Sequence, residues 1–284
     1  MDEPYQLPRD TRFGLLGAVM LATLLVAAAF AWWLTQTRGQ TSIRGRQIIE
    51  TIRQKGLGAV WGDQRVEAFY LMRTTSGRPV GWRYVMRQPV GADGKFAGGY
   101  EGLELIVPYD GDRLIALDRE FWRLAADAAA GQYEAYAGQI LDTTIDLAAG
   151  KVAVNRRHVS PAPANYVPEG ATSAAMSLAL AGDQPAVVQI IVNSRALRGS
   201  AVRFSAMRLA PQPGSRLKAE LEGGSMQLYS FGDDGLPDII EDVGNNVTSM
   251  RVSDKEVTNA YPQARRLVAE AIEKMQYVEG PADL

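Results

Sequence analysis

The sequence predicts a mainly β protein of the α+β class. An N-terminal transmembrane helix is expected to precede a large, antiparallel and curved β-meander domain that carries a few helices. Three observations support this prediction: an uncharged apolar run covers residues 13–34, a two-residue periodicity recurs between residues 66 and 252, and an amphipathic pattern follows residue 262. Alternation with a period of two is typical of half-buried strands, and about 20 consecutive apolar residues are typical of a membrane span.

The apolar run at 13–34 is long enough to anchor the chain in a bilayer. At about 1.5 Å per residue a helix of this length spans about 33 Å, and a bilayer core is about 30 Å thick. Residues 29–31 also fit the small-x-small rule of a signal peptidase site. The apolar run continues through that point without a polar region, which favours an uncleaved anchor. The predicted anchor residues are Phe13, Leu24, Trp32 and Trp33.

The predicted organisation has four parts. They are a short polar tail at 1–12, the transmembrane anchor at 13–34, a juxtamembrane linker and short helix at 35–57, and a soluble β-rich domain at 58–284. Three prolines and a glycine at 160–170 mark a candidate boundary inside the last part. The basic residues after the span argue for a cytoplasmic domain, but large domains translocate largely regardless of charge. We therefore expect a single-pass protein with an extracytoplasmic, periplasmic domain in a bacterial envelope.

The β-rich part is expected to contain roughly 11–13 strands. Its first hairpin joins 66–73 to 79–88, and in the second of these strands Trp82 and Tyr84 alternate with Arg83 and Arg87. Helices are predicted at 42–55, at 172–181, after a capping box that opens at Ser253, and from 262 onward. The Ala-rich stretch 125–137 has no clear pattern. Two arrangements remain open: one curved sheet that covers a helix, or two β-units joined by 160–170.

Composition excludes several kinds of chemistry. The chain has no cysteine and one histidine, so disulfides, thiol catalysis and Cys-ligated metals are excluded, and His-based sites lack partners. Its net charge of -2 gives no basis for binding nucleic acid. There is no phosphate-binding glycine loop and no nucleophile elbow, so neither a cofactor nor catalytic residues are predicted.

Two groups of residues are candidate binding sites. Asp233, Asp234 and Asp238 form a weak candidate metal site, but a hairpin turn that starts at Asp-Asp-Gly explains these residues fully and is favoured. The aromatic residues between 69 and 136 are either core or the lining of a groove for an apolar ligand. The residues predicted to bind such a ligand are Trp82, Tyr84, Phe121 and Trp122.

These observations favour a non-enzymatic binding or scaffolding protein. It would be held in the lipid bilayer by residues 13–34 and would present its β-rich domain to a protein partner or an apolar ligand. The first alternative is a structural subunit of a membrane-embedded assembly. The second is a hydrolase that uses carboxylates, which requires acidic residues from distant strands to meet in one pocket.

Overall fold

The computed structural model describes residues 11–91, 96–111, 113–136, 140–155, 158–191 and 202–276, with side chains throughout except at 11–18, 29–38 and 141. The chain forms two compact units, Met1–Thr41 and Ser42–Leu284. The described helices are α1 (Thr11–Lys55), α2 (Gly58–Trp61), α3 (Thr172–Ala181), α4 (Asp254–Ala260) and α5 (Ala264–Gln276), with a 3-10 turn at Glu169–Ala171.

The first unit contains the beginning of α1. This helix also covers 35–41, where a polar link was predicted, since no proline interrupts it there. In the part of the chain that the structure describes, no helix is both long and apolar enough to cross a membrane. Leu24 is exposed, and the side chains of the other predicted anchor residues lie outside the described part of the chain. The anchor therefore stays a prediction.

The second unit is built on a mainly antiparallel sheet, for which the described residues supply 15 strands. Their bounds are β1 (Val66–Thr74), β2 (Pro79–Pro89), β3 (Tyr100–Asp110), β4 (Arg113–Leu114), β5 (Asp118–Leu124), β6 (Ala130–Tyr136), β7 (Ile140–Asp146), β8 (Lys151–Val154), β9 (His158–Pro161), β10 (Ala186–Ile191), β11 (Phe204–Gln212), β12 (Arg216–Leu221), β13 (Met226–Phe231), β14 (Pro237–Asp242) and β15 (Val247–Val252).

The strands follow one another as a meander, and the first strand pairs with the last. The order is β10-β11-β12-β13-β14-β15-β1-β2-β3-β5-β6-β7-β8-β9, with β4 beside β3. The pairing of β1 with β15 joins both halves of the sequence into a single sheet. The sheet edges are β9 and β10, and the segment that follows β9 reaches β10 through a bridge between Tyr166 and Gln189. Of the two arrangements left open by the sequence, the single curled sheet is the one that forms.

Helices cover both faces of this sheet. On one face, called here the α3 face, α3 and the 42–55 part of α1 contribute Ile48, Ile52, Ala175 and other buried residues to the larger core. On the opposite face, called here the α5 face, α4 and α5 pack with apolar residues of β2, β3 and β5 in a second core. The alternation within each strand therefore distributes side chains between two covered faces.

Local signals in the sequence correctly predicted where several helices begin or end. Helix α1 ends at Lys55, directly before Gly56, whose φ of +78° suits glycine. Ser253 and Glu256 form the predicted capping box. The unassigned Ala-rich stretch contains β6, which pairs with β5 and β7. The strand number exceeds the prediction in part because this stretch supplied no clear periodicity.

Candidate functional site

A cavity of about 490 Å³ lies on the α3 face of the second unit. Strands β2, β3 and β5 line one side of it, strands β10, β13 and β14 line another, and the 3-10 turn and α3 complete it. Its apolar lining includes Met176, Ile190, Ile191, Phe231, Leu236 and Ile240. Charged side chains from β2, β3, β5 and the 3-10 turn also line the cavity. One part of its wall is therefore apolar, and another part carries ionisable groups.

Strand register explains why these polar residues meet. Arg87 lies opposite Gly102, which lies opposite Trp122 on the next strand, and Trp122 faces Tyr133. Residues opposite each other share a face, so this row points into the cavity. Gly102 leaves room for the indole: a Cβ there would lie 2.3 Å from a ring atom of Trp122. The neighbouring row places Glu104 opposite Glu120.

The row of Glu104 and Glu120 contains an ion pair and a carboxyl whose pKa is strongly raised. Arg83 binds Glu104 with an N–O distance of 2.7 Å. Burial, reinforced by the charge of Glu104, raises the pKa of Glu120 to about 7, although Tyr133 bonds to its carboxylate. Glu120 is therefore partly protonated at neutral pH, while Glu104 has a cationic partner.

A third carboxyl comes from the 3-10 turn. Glu169 accepts a hydrogen bond from the Tyr166 hydroxyl at 3.1 Å and another from the Ile191 amide at 3.1 Å. Burial nevertheless raises the pKa of Glu169 to about 7, and it raises the pKa of Tyr166 well above the ordinary value. These bonds fix the position of the Glu169 carboxyl at the cavity wall.

Arg87 is the most unusual of the charged residues. Its side chain is 3% exposed, and its guanidinium carbon lies 4.6 Å from the ring centre of Trp61. Trp61 in turn contacts Tyr100 and Trp122, with ring centres 5.2 and 5.6 Å away. Burial lowers the pKa of Arg87 to about 10, so the guanidinium remains charged at neutral pH.

The predicted ligand-binding residues divide between the two faces of the sheet. Trp82, Tyr84 and Phe121 are buried on the α5 face, in the core formed with α4 and α5. Trp122 lines the cavity. The four residues do not form a common groove, because odd and even positions of a strand point to opposite faces. The binding role predicted for them has no further support on the α5 face.

The acidic stretch forms the predicted hairpin turn, between β13 and β14. Arg251 binds Asp234 at 2.6 Å and Asp238 at 3.5 Å, while Asp233 is exposed. The Asp234 side chain also accepts a hydrogen bond from the Leu236 amide. In the described ranges, no three His, Cys, Asp or Glu side chains are grouped so that they could hold a metal ion.

Sequence reasoning missed Glu120 and Glu169 as site residues. The alternation in β2 did predict a basic face that carries Arg83 and Arg87, which was the available signal. Nothing local distinguishes Glu169, which follows a proline in the segment interpreted as a connection.

Comparison with known proteins finds distant structural similarities to proteins of unknown function. No family model and no curated protein matches the chain. A solved β-barrel-like protein of the domain of unknown function DUF1849 from Brucella abortus is similar over 66% of this chain and 95% of its own length, at 10% identity and a TM-score of 0.47. A DUF1089 family protein from Pseudomonas aeruginosa is similar over 62% of this chain and 88% of its own, at 12% identity and a TM-score of 0.28.

Proposed function

We propose that this chain is a non-enzymatic binding protein that is anchored in a membrane and holds an apolar small molecule in the cavity on the α3 face. The observation that carries the proposal is the cavity itself. Its volume of about 490 Å³ falls in the range of about 300–1,000 Å³ that is typical of small-molecule sites. A cavity of this size is costly in a protein core unless a ligand or water fills it.

The composition of the lining supports the same proposal. Ligand sites are mostly apolar with a few fixed polar groups that orient the ligand. Here the apolar residues come from α3, β10, β13 and β14, and the polar groups come from β2, β3, β5 and the 3-10 turn. Both the Arg83–Glu104 pair and the hydrogen bonds of Glu169 hold those polar groups in place.

A variant that fills the cavity tests this proposal. Ser173, on α3, lines the cavity, whereas Ser230 alternates with Tyr229 and Phe231 and faces the other side of β13. The full chain would be purified in mild detergent from a bacterial envelope and examined by native mass spectrometry. Ser173→Phe should lose the bound mass that the wild type and Ser230→Phe retain. A wild-type chain without any bound mass, or a mass retained by Ser173→Phe, would contradict the proposal.

The membrane part of the proposal needs a separate test. We propose that residues 13–34 remain uncleaved and that the second unit is extracytoplasmic. A C-terminal alkaline phosphatase fusion, expressed in a bacterium, should be active and should stay in the membrane fraction after carbonate extraction. An inactive fusion would reverse the orientation, and release of the chain by carbonate would contradict the anchor.

The cavity also favours one second candidate, a hydrolase that uses carboxylates. Glu104 and Glu120, on the paired strands β3 and β5, meet Glu169 from the 3-10 turn in one cavity, and two of these residues have a pKa of about 7, which suits a general acid. A panel of chromogenic esters and glycosides would test it. Turnover that Glu120→Gln or Glu169→Gln abolishes would establish this candidate in place of the binding function.

A further inference from the structure

The Arg87 side chain is a buried cation to which no carboxylate of the described residues is bound. Among the described residues, neither its Nε nor either of its terminal nitrogens has a hydrogen-bond partner. Elsewhere in the same cavity the fold does pair its arginine, since Arg83 binds Glu104 at 2.7 Å. Buried polar groups in proteins are nearly always bonded, and a buried charge is expensive unless it is paired. Arg87 therefore has donors for a partner that the described chain does not supply.

The Arg87 guanidinium is held over the Trp61 ring, and its buried N–H donors have no partner among the described residues. The group lies over the Trp61 ring, 4.6 Å from its centre, and this contact uses the flat face of the guanidinium. The N–H donors point outward from the edge of the group, and that edge is the part that binds carboxylate or phosphate with two parallel hydrogen bonds. Trp61 is itself fixed by Tyr100 and Trp122.

The charged groups described around the cavity leave Arg87 without a bound carboxylate. Arg83 and Glu104 neutralise each other. Glu120 and Glu169 have pKa values of about 7, so each is only about half ionised at neutral pH, and neither is hydrogen-bonded to Arg87. Asp234 attracts Arg87 electrostatically, but the Asp234 carboxylate is bound to Arg251. An anion that enters the cavity would give the Arg87 guanidinium a partner.

We propose that the ligand in this cavity is an amphipathic anion, whose carboxylate or phosphate group is bound by Arg87 and whose apolar body lies against the residues of α3, β10 and β14. This inference rests on the proposed ligand-binding function and adds the chemical class of the ligand. The inference distinguishes this site from a purely apolar one, because a neutral ligand would leave the buried guanidinium unpaired.

Three small probes with one ring system test the inference: 1-naphthoate, 1-naphthyl phosphate and the neutral 1-naphthalenemethanol. Binding to the full chain in amphipol would be measured by titration calorimetry. At least one anionic probe should bind the wild type about tenfold more tightly than the neutral probe, as a charge-assisted hydrogen bond implies. The stronger of the two anionic probes then identifies the preferred group.

Variants assign the preference to Arg87. Arg87→Met should lose the preference for anions, and Arg87→Lys should keep part of it. Arg73 is exposed on β1 and away from the cavity, so Arg73→Met is the matched control and should behave as the wild type. Equal binding of all three probes, or a preference that persists in Arg87→Met, would overturn the anion inference and leave the binding function in place. Failure of every probe to bind would overturn both.

Discussion

Replacing Arg87 by methionine should make the unliganded protein more stable, although the variant loses a charged side chain from its site. Burial lowers the pKa of Arg87 to about 10. At about 1.4 kcal/mol per pKa unit, this change from the ordinary value corresponds to about 3 kcal/mol that the folded state loses by keeping the guanidinium charged. Below pH 10 the group is charged in both the folded and the unfolded chain, so the loss is present in full at pH 7.

Part of that gain is offset in the variant. The contact between the guanidinium and Trp61 contributes about 0.5–2 kcal/mol, and methionine replaces the packing of the arginine stem. The net increase in the free energy of unfolding should therefore be about 1–2.5 kcal/mol. At about 2–4 °C per kcal/mol, the melting temperature should rise by roughly 2–10 °C.

Denaturant unfolding of the full chain in detergent at pH 7, followed by tryptophan fluorescence, measures this change. Arg73→Met, which removes an exposed arginine of β1, should stay within about 0.5 kcal/mol of the wild type. A decrease of 1 kcal/mol or more in Arg87→Met would refute the reasoning, because it would mean that Arg87 has a stabilising partner in the unliganded protein. At one fixed concentration, the preferred anionic probe should stabilise the wild type more than it stabilises Arg87→Met.

Three further predictions concern the rest of the second unit. Glu169 keeps its proton in the folded state up to about pH 7, so its stabilising contribution is complete below about pH 4.5 and is lost as the pH rises. For this group the free energy of unfolding should be lower at pH 8 than at pH 5 by at most about 3 kcal/mol. Glu169→Gln should reduce this difference. Ser253→Ala removes the capping-box bond that the Ser253 hydroxyl accepts from the Glu256 amide and should cost about 1 kcal/mol by thermal unfolding, whereas Ser253→Asp should retain most of that stability. Leu105→Ala, in the core on the α5 face, should cost about 2–5 kcal/mol and leave the relative affinities of the three probes unchanged; a changed preference would show that the faces are coupled.

The sequence was sufficient to predict the strands and the ends of several helices, because those features depend on neighbouring residues. Alternation identified β1 and β2, glycine identified the end of α1, and the Ser253 capping box identified the start of α4. The pairing of β1 with β15 could not be predicted, since it joins residues about 180 positions apart and no local pattern encodes it. That pairing decides between one sheet and two.

The site was harder to predict from the sequence, because it also depends on which distant segments cover each face of the sheet. Alternation shows that Arg83 and Arg87 share a face, but it does not show which face encloses a cavity when helices cover both. The aromatic face of β2 was the more attractive ligand surface by composition, yet α4 and α5 fill it with apolar side chains. Glu169 reaches the cavity only because its segment follows β9 and bridges to β10.

The two faces of the sheet therefore differ in what they contribute. On the α5 face, Trp82, Leu105 and their neighbours form an apolar core, and the charged Arg123 and Glu101 beside it are paired at 2.8 Å, so that face stabilises the fold. On the α3 face, the strands β2, β3 and β5 direct Arg87, Glu104 and Glu120 inward, where charged groups prevent a dry, closely packed core. The same strands serve both purposes because neighbouring residues point in opposite directions. A substitution on the α5 face should thus change stability alone, whereas one on the cavity side should also change ligand preference.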